Sequence, residues 1–388
     1  MVNIAFTGGG TGGHIYPGLA VAAKLKSLLE SRFLESRRSE GCEFRLFWIG
    51  SSTGMDRRLV EEAGIEFFGV PSGKLRRYFS LKTFVDFFRV VFSFFAARKI
   101  LKRQKVCLLF SKGGFVSVPP CAAAASLGIP VFTHESDYSP GLATRINARF
   151  VSRTGGRIFT GYDDTVRFFP EAVRSRVTVS GNPVRAVFHD ADAAKGRAFL
   201  EVGEEERILL VLGGSQGARE INEIVRAALP DLTEIYTVVH QCGPNQSWDL
   251  PASQRYKPFP FIREELPHIM ATAELVLARS GAGIWECAVL GKPMLLIPLR
   301  GSGTRGDQIE NARYFQEAGA AQVLTGDDVN HQALIRAVNT LAHDAEKRTA
   351  MAEASLRIGE RDGTELIARV LIGEIKTLIG GKNEFGGN

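Results

Sequence analysis

The strongest constraint on the fold is a unit that occurs twice: an apolar strand, a glycine-rich loop and a helical stretch. The first copy is VNIAFTGGGTGGHIYPG, where five glycines surround Thr11 directly after the run that begins at Val2. The second copy is RILLVLGGSQGAR, which begins at Arg207. Glycines let a backbone approach a ligand closely, and the N–H groups at the start of the following helix bind anions. The repeat therefore predicts two similar α/β domains, each with an anion site at its first loop.

Apolar strand-like runs alternate with helical stretches along most of the chain. Examples are FRLFWIG, VCLLFS and IPVFTHE in the first half, and IYTVVHQCG, AELVLARSG and PMLLIPL in the second. Runs this rich in Val, Ile, Leu and Phe are typical of parallel strands that are buried on both faces of a sheet. The turn SGNPVR precedes a polar, alanine-rich stretch, which indicates a domain boundary. We predict Rossmann-like domains over residues 1–185 and 186–363, with a terminal helix over 364–380 that packs back on the first domain.

Several classes of protein and site are disfavoured by the composition. The five cysteines are scattered and form no CxxC pair, which argues against a zinc site and a disulfide framework. No basic leader and no apolar run of about 18 residues is present, so we expect neither a signal peptide nor a membrane span. Asp190 and Asp192 form a lone DxD pattern, but Asp192 suits a helix N-cap better than a metal site. We expect no metal and no cofactor.

The opening loop also satisfies the dinucleotide pattern GxGxxG through Gly8, Gly10 and Gly13. A nicotinamide site needs an acid at the end of the second strand, about 20 residues on. That strand ends in FWIGSSTG, without an acid, which disfavours a nicotinamide oxidoreductase. In the second loop, Ser215 and Gln216 lie where a diphosphate would bind at a helix N-terminus. A simple N-cap is the alternative for Ser215.

Two further groups of polar residues follow strands. FTHESDYSPGL carries His134, Glu135 and Asp137 at the end of a strand, where parallel sheets place their active sites. In the second half, ARSGAGIWE and GDQIENA bring Glu286, Gln308 and Asn311. A glutamate one turn into a helix suits the two hydroxyls of a ribose or sugar. The alternative is a surface acid that the helix dipole stabilises.

The segment from Lys74 to Lys105 contains seven phenylalanines, ten basic residues and one acid. Its net charge of +9 exceeds the +6 of the whole chain, so the remainder is net acidic. Helical spacing predicts a crossover helix whose sheet-facing side carries Phe84, Phe87, Phe88, Val91 and Phe95. Further phenylalanines and the basic border favour contact with an anionic membrane surface over nucleic acid. The residues expected at the membrane are Leu75, Arg76, Arg77, Phe79, Lys82, Phe84, Phe87 and Phe88.

The order of these motifs resembles that of the MurG family of glycosyltransferases over about residues 2–370. The shared motifs are GGGTGGHIYPGLAVA, SKGGFVSVP, HESD, SGNPVR, GGSQGAR, RSGA and Q..NA. The resemblance implies a GT-B fold, in which two Rossmann-like domains with parallel sheets face each other across a cleft. It implies inverting transfer of N-acetylglucosamine from UDP-N-acetylglucosamine to the C4 hydroxyl of undecaprenyl-diphospho-N-acetylmuramoyl-pentapeptide (lipid I), giving lipid II and UDP. It also implies peripheral attachment at the cytoplasmic face of the cell membrane, with other cell-wall synthesis proteins as further candidate partners.

Two alternatives remain beside that activity. One is a related lipid glycosyltransferase with a diacylglycerol acceptor, built on the same scaffold. The other is a non-catalytic subunit that binds a sugar nucleotide and anchors a partner at the membrane.

The resemblance also assigns substrate-binding residues. Thr11, Gly12 and Gly13 match the loop beside the donor in the first domain, and Arg185 and Ser215 match donor-contacting positions. The remaining assignments are Ile262 to the uracil, Glu286 to the ribose, and Gln308 and Asn311 to sugar hydroxyls. Gln216, from its place in the second glycine loop, and Ala282, in the loop near the diphosphate, complete the expected substrate-binding set. Asp137 stands where the best-known members have Asn. Three residues, rather than the usual four, separate Ala282 from Glu286.

An in-line displacement at the anomeric carbon needs a general base for the acceptor hydroxyl. His14 and Glu135 are the candidates. Departure of UDP needs charge stabilisation, which we assign to the Ser215 loop and Arg185. His14 has two alternative roles: a cation that positions the acceptor diphosphate, or a packed histidine that holds its loop.

Overall fold

The computed structural model describes residues 1–10, 12–35, 43–73, 81–214, 217–244, 253–299, 301 and 305–384, without the side chains of 32–35, 81–87 and 379–384. The chain divides into two compact units between Arg185 and Ala186. The first unit also includes the segment that begins at Asp362.

Within its described residues, the first unit is built on seven parallel strands in the order β3-β2-β1-β4-β5-β6-β7. The strands are β1 Val2–Thr7, β2 Phe44–Ser51, β3 Glu66–Val70, β4 Val106–Ser111, β5 Val131–Glu135, β6 Ile158–Thr160 and β7 Val177–Val179. The helices are α1 Gly12–Glu35, α2 Asp56–Glu62, α3 Leu81–Arg103, α4 Val118–Ser126, α5 Leu142–Thr154, α6 Glu171–Arg174 and, from the end of the chain, α15 Gly363–Glu384. The strand order reverses at β1, which pairs with β2 on one side and with β4 on the other. Strands β2 and β3 extend the sheet in one direction, and β4 to β7 extend it in the other.

The second unit repeats this topology. Its described residues form a six-stranded parallel sheet in the order β10-β9-β8-β11-β12-β13. The strands are β8 Ile208–Leu212, β9 Thr237–Gln241, β10 Tyr256–Phe259, β11 Leu275–Ala278, β12 Met294–Leu296 and β13 Ala321–Val323. The helices are α7 Ala186–His189, α8 Ala193–Leu200, α9 Arg219–Ile235, α10 Leu266–Thr272, α11 Ile284–Val289, α12 Asp307–Glu317, α13 His331–His343 and α14 Ala345–Gly359. The predicted α/β class, with two parallel Rossmann-like sheets, is confirmed.

Burial on both faces explains the continuous apolar runs. Along β1, Ile4 and Phe6 join a cluster on one face of the first sheet, whereas Ala5 joins the cluster on the other face. All three residues are fully buried. A strand with no solvent-facing side carries no alternation of polar and apolar residues, so only its length and apolar character were readable in the sequence.

The last helix completes the core of the first unit. Ile367 and Leu371 of α15 are fully buried in the cluster that contains the β1 residues. At the start of α15, Thr364 Oγ1 accepts a hydrogen bond from Val184 N at 3.0 Å and donates to Val184 O at 2.9 Å. Lys24 of α1 forms an ion pair with Glu365. These contacts are local to the first unit, and α15 therefore belongs to its hydrophobic core.

The aromatic helix α3 faces the core with a different side from the one predicted. Ser93, Ala97 and Leu101 are buried, whereas the exposed fractions of Phe88 and Phe95 are 44% and 60%. The prediction that Phe88 and Phe95 face the sheet is wrong, because small side chains let α3 approach α4 closely. Lys82, Phe84 and Phe87 have no described side chains, and Leu75, Arg76, Arg77 and Phe79 lie outside the described residues. None of the described helices carries an apolar stretch long enough to cross a bilayer.

The packing of α15 gives a stability prediction. Leu371→Ala removes a fully buried side chain and leaves a cavity, so the free energy of unfolding should fall by about 2–5 kcal/mol. Urea unfolding followed by circular dichroism measures this loss. Leu356→Ala, at a side chain in the second unit that is 47% exposed, is the matched control and should cost clearly less. Equal losses in the two variants would contradict the assignment of α15 to the core.

Candidate functional site

In the first unit, the loops after β1 and β4 pack directly against each other. A Cβ on Gly114 would lie 2.5 Å from Gly9 O, and Gly114 has φ +78°. A Cβ on Gly10 would lie 2.8 Å from the ring of Phe115, and one on Gly8 3.1 Å from Lys112 Cβ. The glycines were interpreted from the sequence as room for a ligand. The structure shows that Gly8 and Gly10 of the opening loop are constrained to glycine by the protein's own packing.

A buried carboxylate that the sequence reasoning missed holds this loop in place. Asp56 is 1% exposed, and its Oδ1 and Oδ2 accept hydrogen bonds from Gly10 N and Ser51 N, each at 3.1 Å. A Cβ on Gly9 would lie 2.0 Å from Asp56 Oδ2. Burial raises the pKa of this carboxyl, against the lowering effect of the backbone donors. Asp56 is the first residue of α2, five residues after the end of β2 and two residues beyond the FWIGSSTG stretch, in which the sequence shows no acid.

His14 lies in the first turn of α1, beside both loops. A Cβ on Gly114 would lie 3.1 Å from His14 Cδ2, and one on Gly113 would lie 3.9 Å from His14 Nδ1. The residue is half-buried, its ring packs on the loop after β4, and its Nδ1 is buried. Of its predicted neighbours, Gly12 is buried and Gly13 is exposed, while Thr11 lies outside the described residues.

Glu135, the other predicted base, is engaged by backbone amides. Its Oε1 accepts from Asp137 N at 3.0 Å, and its Oε2 accepts from Gly141 N at 2.9 Å. The residue is 4% exposed. Both oxygens therefore hold the turn after β5 in place. This geometry favours a structural role for Glu135 over the predicted role as a base.

The neighbouring His134 is also a structural group. It is fully buried, and its Nε2 lies 3.1 Å from Gly181 O, which can only accept a hydrogen bond. Burial, together with the positive charge of Lys112, holds the pKa of His134 well below its usual value. A neutral imidazole in this position fixes β5 to the turn after β7.

Arg185 is placed by contacts within the first unit. Its guanidinium lies over the ring of Tyr16, 5.1 Å from the ring centroid. In the same turn, Asn182 is buried and donates to Ser136 O at 3.0 Å. The SGNPVR turn is thereby joined to α1 and to the turn after β5, so Arg185, His14 and Asp137 all belong to the loop cluster at the carboxyl ends of the strands.

In the second unit, the glycine loop is held by a buried amide side chain, whereas a carboxylate holds the loop in the first unit. Gln241 is 4% exposed, donates from Nε2 to Gly214 O at 3.1 Å and accepts at Oε1 from Ile262 N at 2.9 Å. It therefore joins the glycine loop to the predicted uracil-reading residue, and it was missed because nothing in the sequence marks that contact. A Cβ on Gly217 would lie 2.1 Å from Cys242 O. Ser215 and Gln216 lie outside the described residues.

The predicted ribose and sugar readers lie around the loop after β11. Ser280 Oγ donates to Gln308 O at 2.6 Å, and Asn311 Nδ2 donates to Ser280 O at 3.0 Å. Gln308 Oε1 accepts from Leu299 N at 2.9 Å. The first turn of α12 is thus attached to the loop that contains Ala282. Glu286 lies half-buried in the first turn of α11 on the same loop.

The side chains that could bind a metal ion were also compared for clustering in space. In the parts of the chain that are described, no group of three His, Cys, Asp or Glu side chains is arranged to hold a metal ion. Asp192 accepts a hydrogen bond from Ala194 N at 2.8 Å, which confirms the predicted N-cap of α8.

Comparison with known proteins gives the family from the sequence and the fold from the structure. The glycosyltransferase family 28 N-terminal domain matches residues 4–155, and its C-terminal domain matches residues 208–367. The UDP-N-acetylglucosamine--N-acetylmuramyl-(pentapeptide) pyrophosphoryl-undecaprenol N-acetylglucosamine transferase of Treponema denticola is 42% identical over 411 residues, covering 99% of this chain and 100% of the relative. The transferase of the same name from Treponema pallidum is 45% identical over 379 residues, covering 95% and 94%. The crystal structure of Acinetobacter baumannii MurG has the same fold, with a TM-score of 0.67 at 24% identity over 95% of this chain and 99% of that one.

The close approach of the two loops can be tested with alanine. Gly114→Ala should cost about 1–3 kcal/mol more in unfolding free energy than Gly64→Ala, because both glycines have positive φ but only Gly114 lies against backbone. Gly64 has nothing within 4 Å of its would-be Cβ and is the matched control. Chemical denaturation of both variants measures the difference. A cost that is no larger at Gly114 would show that the loops separate easily.

Proposed function

The chain belongs to glycosyltransferase family 28, and from this membership we propose that it transfers N-acetylglucosamine from UDP-N-acetylglucosamine to lipid I, releasing UDP. The observation that carries the proposal is the identity of 42% and 45%, over nearly the full length of both chains, to transferases named for that reaction. The matches to both domains of the family further support a transferase. These similarities favour lipid I over diacylglycerol as acceptor, and an enzyme over a non-catalytic subunit.

The second unit is the donor-binding unit in this proposal. Glu286 accepts hydrogen bonds from the ribose hydroxyls, and Gln308 and Asn311 read the hydroxyls of the sugar. The uracil pairs with backbone groups around Ile262, whose N–H is held by Gln241 in the structure. The helix N-terminus after the second glycine loop, with Ser215 and Gln216, stabilises the diphosphate.

The first unit supplies acceptor binding and the base. His14 removes the proton from the C4 hydroxyl of the acceptor sugar as the oxygen attacks the anomeric carbon. The bond between that carbon and the diphosphate oxygen breaks, the configuration inverts, and UDP leaves with the bonding electrons. Arg185 offsets the developing charge on UDP. His14 is preferred to Glu135 because both carboxylate oxygens of Glu135 already accept backbone hydrogen bonds.

We assign membrane attachment to the exposed side of α3. Phe88, Phe92 and Phe95 are 44%, 63% and 60% exposed, which is unusual for phenylalanine. Arg98, Lys99, Lys102 and Arg103 follow on the same helix and add positive charge. Aromatic side chains beside basic ones suit the surface of an anionic bilayer. The proposed location is peripheral, at the cytoplasmic face, where the nucleotide donor is available.

The role of His14 gives the first functional prediction. His14→Ala should lower kcat for transfer to lipid I by about 100- to 10,000-fold, because it removes the general base. Binding of UDP, measured by calorimetry, should stay within about twofold of the native value. His331→Ala, at an exposed histidine of the second unit, is the matched control. A nearly normal kcat in His14→Ala would refute the assignment.

The same assay, run with lipid I and with diacylglycerol as acceptors, tests the proposed reaction. We expect N-acetylglucosamine transfer to lipid I alone. A product formed only with diacylglycerol, or UDP binding without any turnover, would select one of the two alternatives instead.

Membrane attachment is tested on the aromatic face of α3. The double substitution Phe92→Ser and Phe95→Ser should weaken binding to vesicles that contain phosphatidylglycerol by about tenfold or more, since two aromatic side chains lose apolar contact with lipid. Vesicle sedimentation measures the change. Phe199→Ser, at a phenylalanine of the second unit that is 44% exposed, is the control. Unchanged sedimentation of the double variant would exclude this face as the anchor.

A further inference from the structure

Lys112 is a buried cation that the proposed reaction does not use. It follows β4 directly, is 1% exposed, and its backbone N donates to Thr7 O at 2.8 Å, which continues the pairing of β4 with β1. Its side chain begins between the opening loop and α1, since a Cβ on Gly8 or on Gly18 would lie 3.1 or 3.4 Å from Lys112 Cβ. A charged side chain is rarely buried without compensation, so the surroundings of its ammonium are informative.

The ammonium of Lys112 lies at the turn that follows β5. Its Nζ donates to Ser136 Oγ, and Ser136 stands between Glu135 and Asp137 in the chain. Burial lowers the pKa of Lys112 to about 8, whereas the carboxylates of Glu135 and Asp137 act in the opposite direction and stabilise the charged lysine. The cation is therefore seated at a turn with two acids.

The two acids differ in burial, since Glu135 is 4% exposed and Asp137 is half-buried. Both oxygens of Glu135 accept hydrogen bonds from the backbone, so part of its charge is satisfied locally. Asp137 is half-buried, within the loop cluster assigned to the substrates. The third titratable neighbour, His134, is held neutral and contributes no charge. With Lys112 ionised, the three side chains of Lys112, Glu135 and Asp137 carry one net negative charge. Without the lysine, the two carboxylates would carry two.

Asp137 is also the position where the resemblance indicated asparagine. An aspartate there adds a negative charge in the unit that is proposed to bind the diphosphate acceptor, and like charges repel more strongly where water is excluded. A cation at the same turn removes this conflict. The geometry of Lys112 and the departure at Asp137 thus have one common explanation.

We propose that Lys112 is a positioning residue that supplies the counter-charge for Asp137, so that together they replace a neutral side chain in the acceptor-binding turn. The inference rests on the proposed function in one respect, namely that the acceptor is a diphosphate. Lys112 acts through Asp137 and the turn and does not touch the substrate.

A double-mutant cycle tests the proposal. Lys112→Met should lower kcat/KM for lipid I by about 10- to 100-fold, chiefly through KM, because the carboxylates become uncompensated. Adding Asp137→Asn to Lys112→Met should recover at least about tenfold. Glu171→Gln, which neutralises an exposed acid at the start of α6, is the matched control and should recover nothing in the Lys112→Met background. Equal recovery by both second substitutions, or by neither, would overturn the proposal.

The same variants are also unfolded in urea, which measures the interaction between Lys112 and Asp137 without any substrate. Lys112→Met should lower the midpoint, and Asp137→Asn should raise it again in that background. Lys112→Gln, which keeps a donor for Ser136, repeats the cycle if the methionine variant does not fold. Coupling of the midpoints without transfer to lipid I by the native enzyme would refute the proposed function alone. Absence of coupling in the midpoints would refute the counter-charge.

Discussion

The backbones of two loops in the first unit approach each other without room for one side-chain carbon between Gly9 and Gly114. This contact determines the positions of the polar groups around the two loops. It places the ring of His14 on Gly114, and it brings Gly10 N within hydrogen-bonding distance of Asp56. Because the strand order reverses between β1 and β4, the helices that follow these strands, α1 and α4, pack on opposite faces of the sheet, and sheets of this kind bind ligands at the carboxyl ends of the strands at that position.

The second unit meets the same constraint with different groups. Its sheet also reverses beside its first strand, β8, and Gly217 there lies against Cys242 O as Gly114 lies against Gly9 O. The tether differs: Gln241 holds the second loop through both ends of a neutral amide, whereas Asp56 holds the first through a carboxylate. A loop assigned to the donor diphosphate is therefore held without an added negative charge, which suits an anionic ligand.

Several residues carry a different role in the structure from the one that their sequence context indicated. Glu135 ends a parallel strand, the usual place for a catalytic carboxylate, yet it closes a turn through two backbone amides. Helical spacing placed Phe88 and Phe95 on the sheet side of α3, but Ser93 and Ala97 occupy that side. Periodicity identifies the faces of a helix, and it does not decide which face a neighbouring helix requires when small side chains permit closer packing.

The sequence by itself determined the α/β class, the two glycine-loop units and the family, because apolar runs, glycine spacing and ordered motifs are local features of the chain. Only the tertiary structure decided which polar groups are engaged within the protein. Gly10 and Asp56 are 46 residues apart, and Lys112 and Ser136 are 24 apart. A buried polar group must find a partner wherever the packed chain offers one, so its role follows from contacts that no local pattern records.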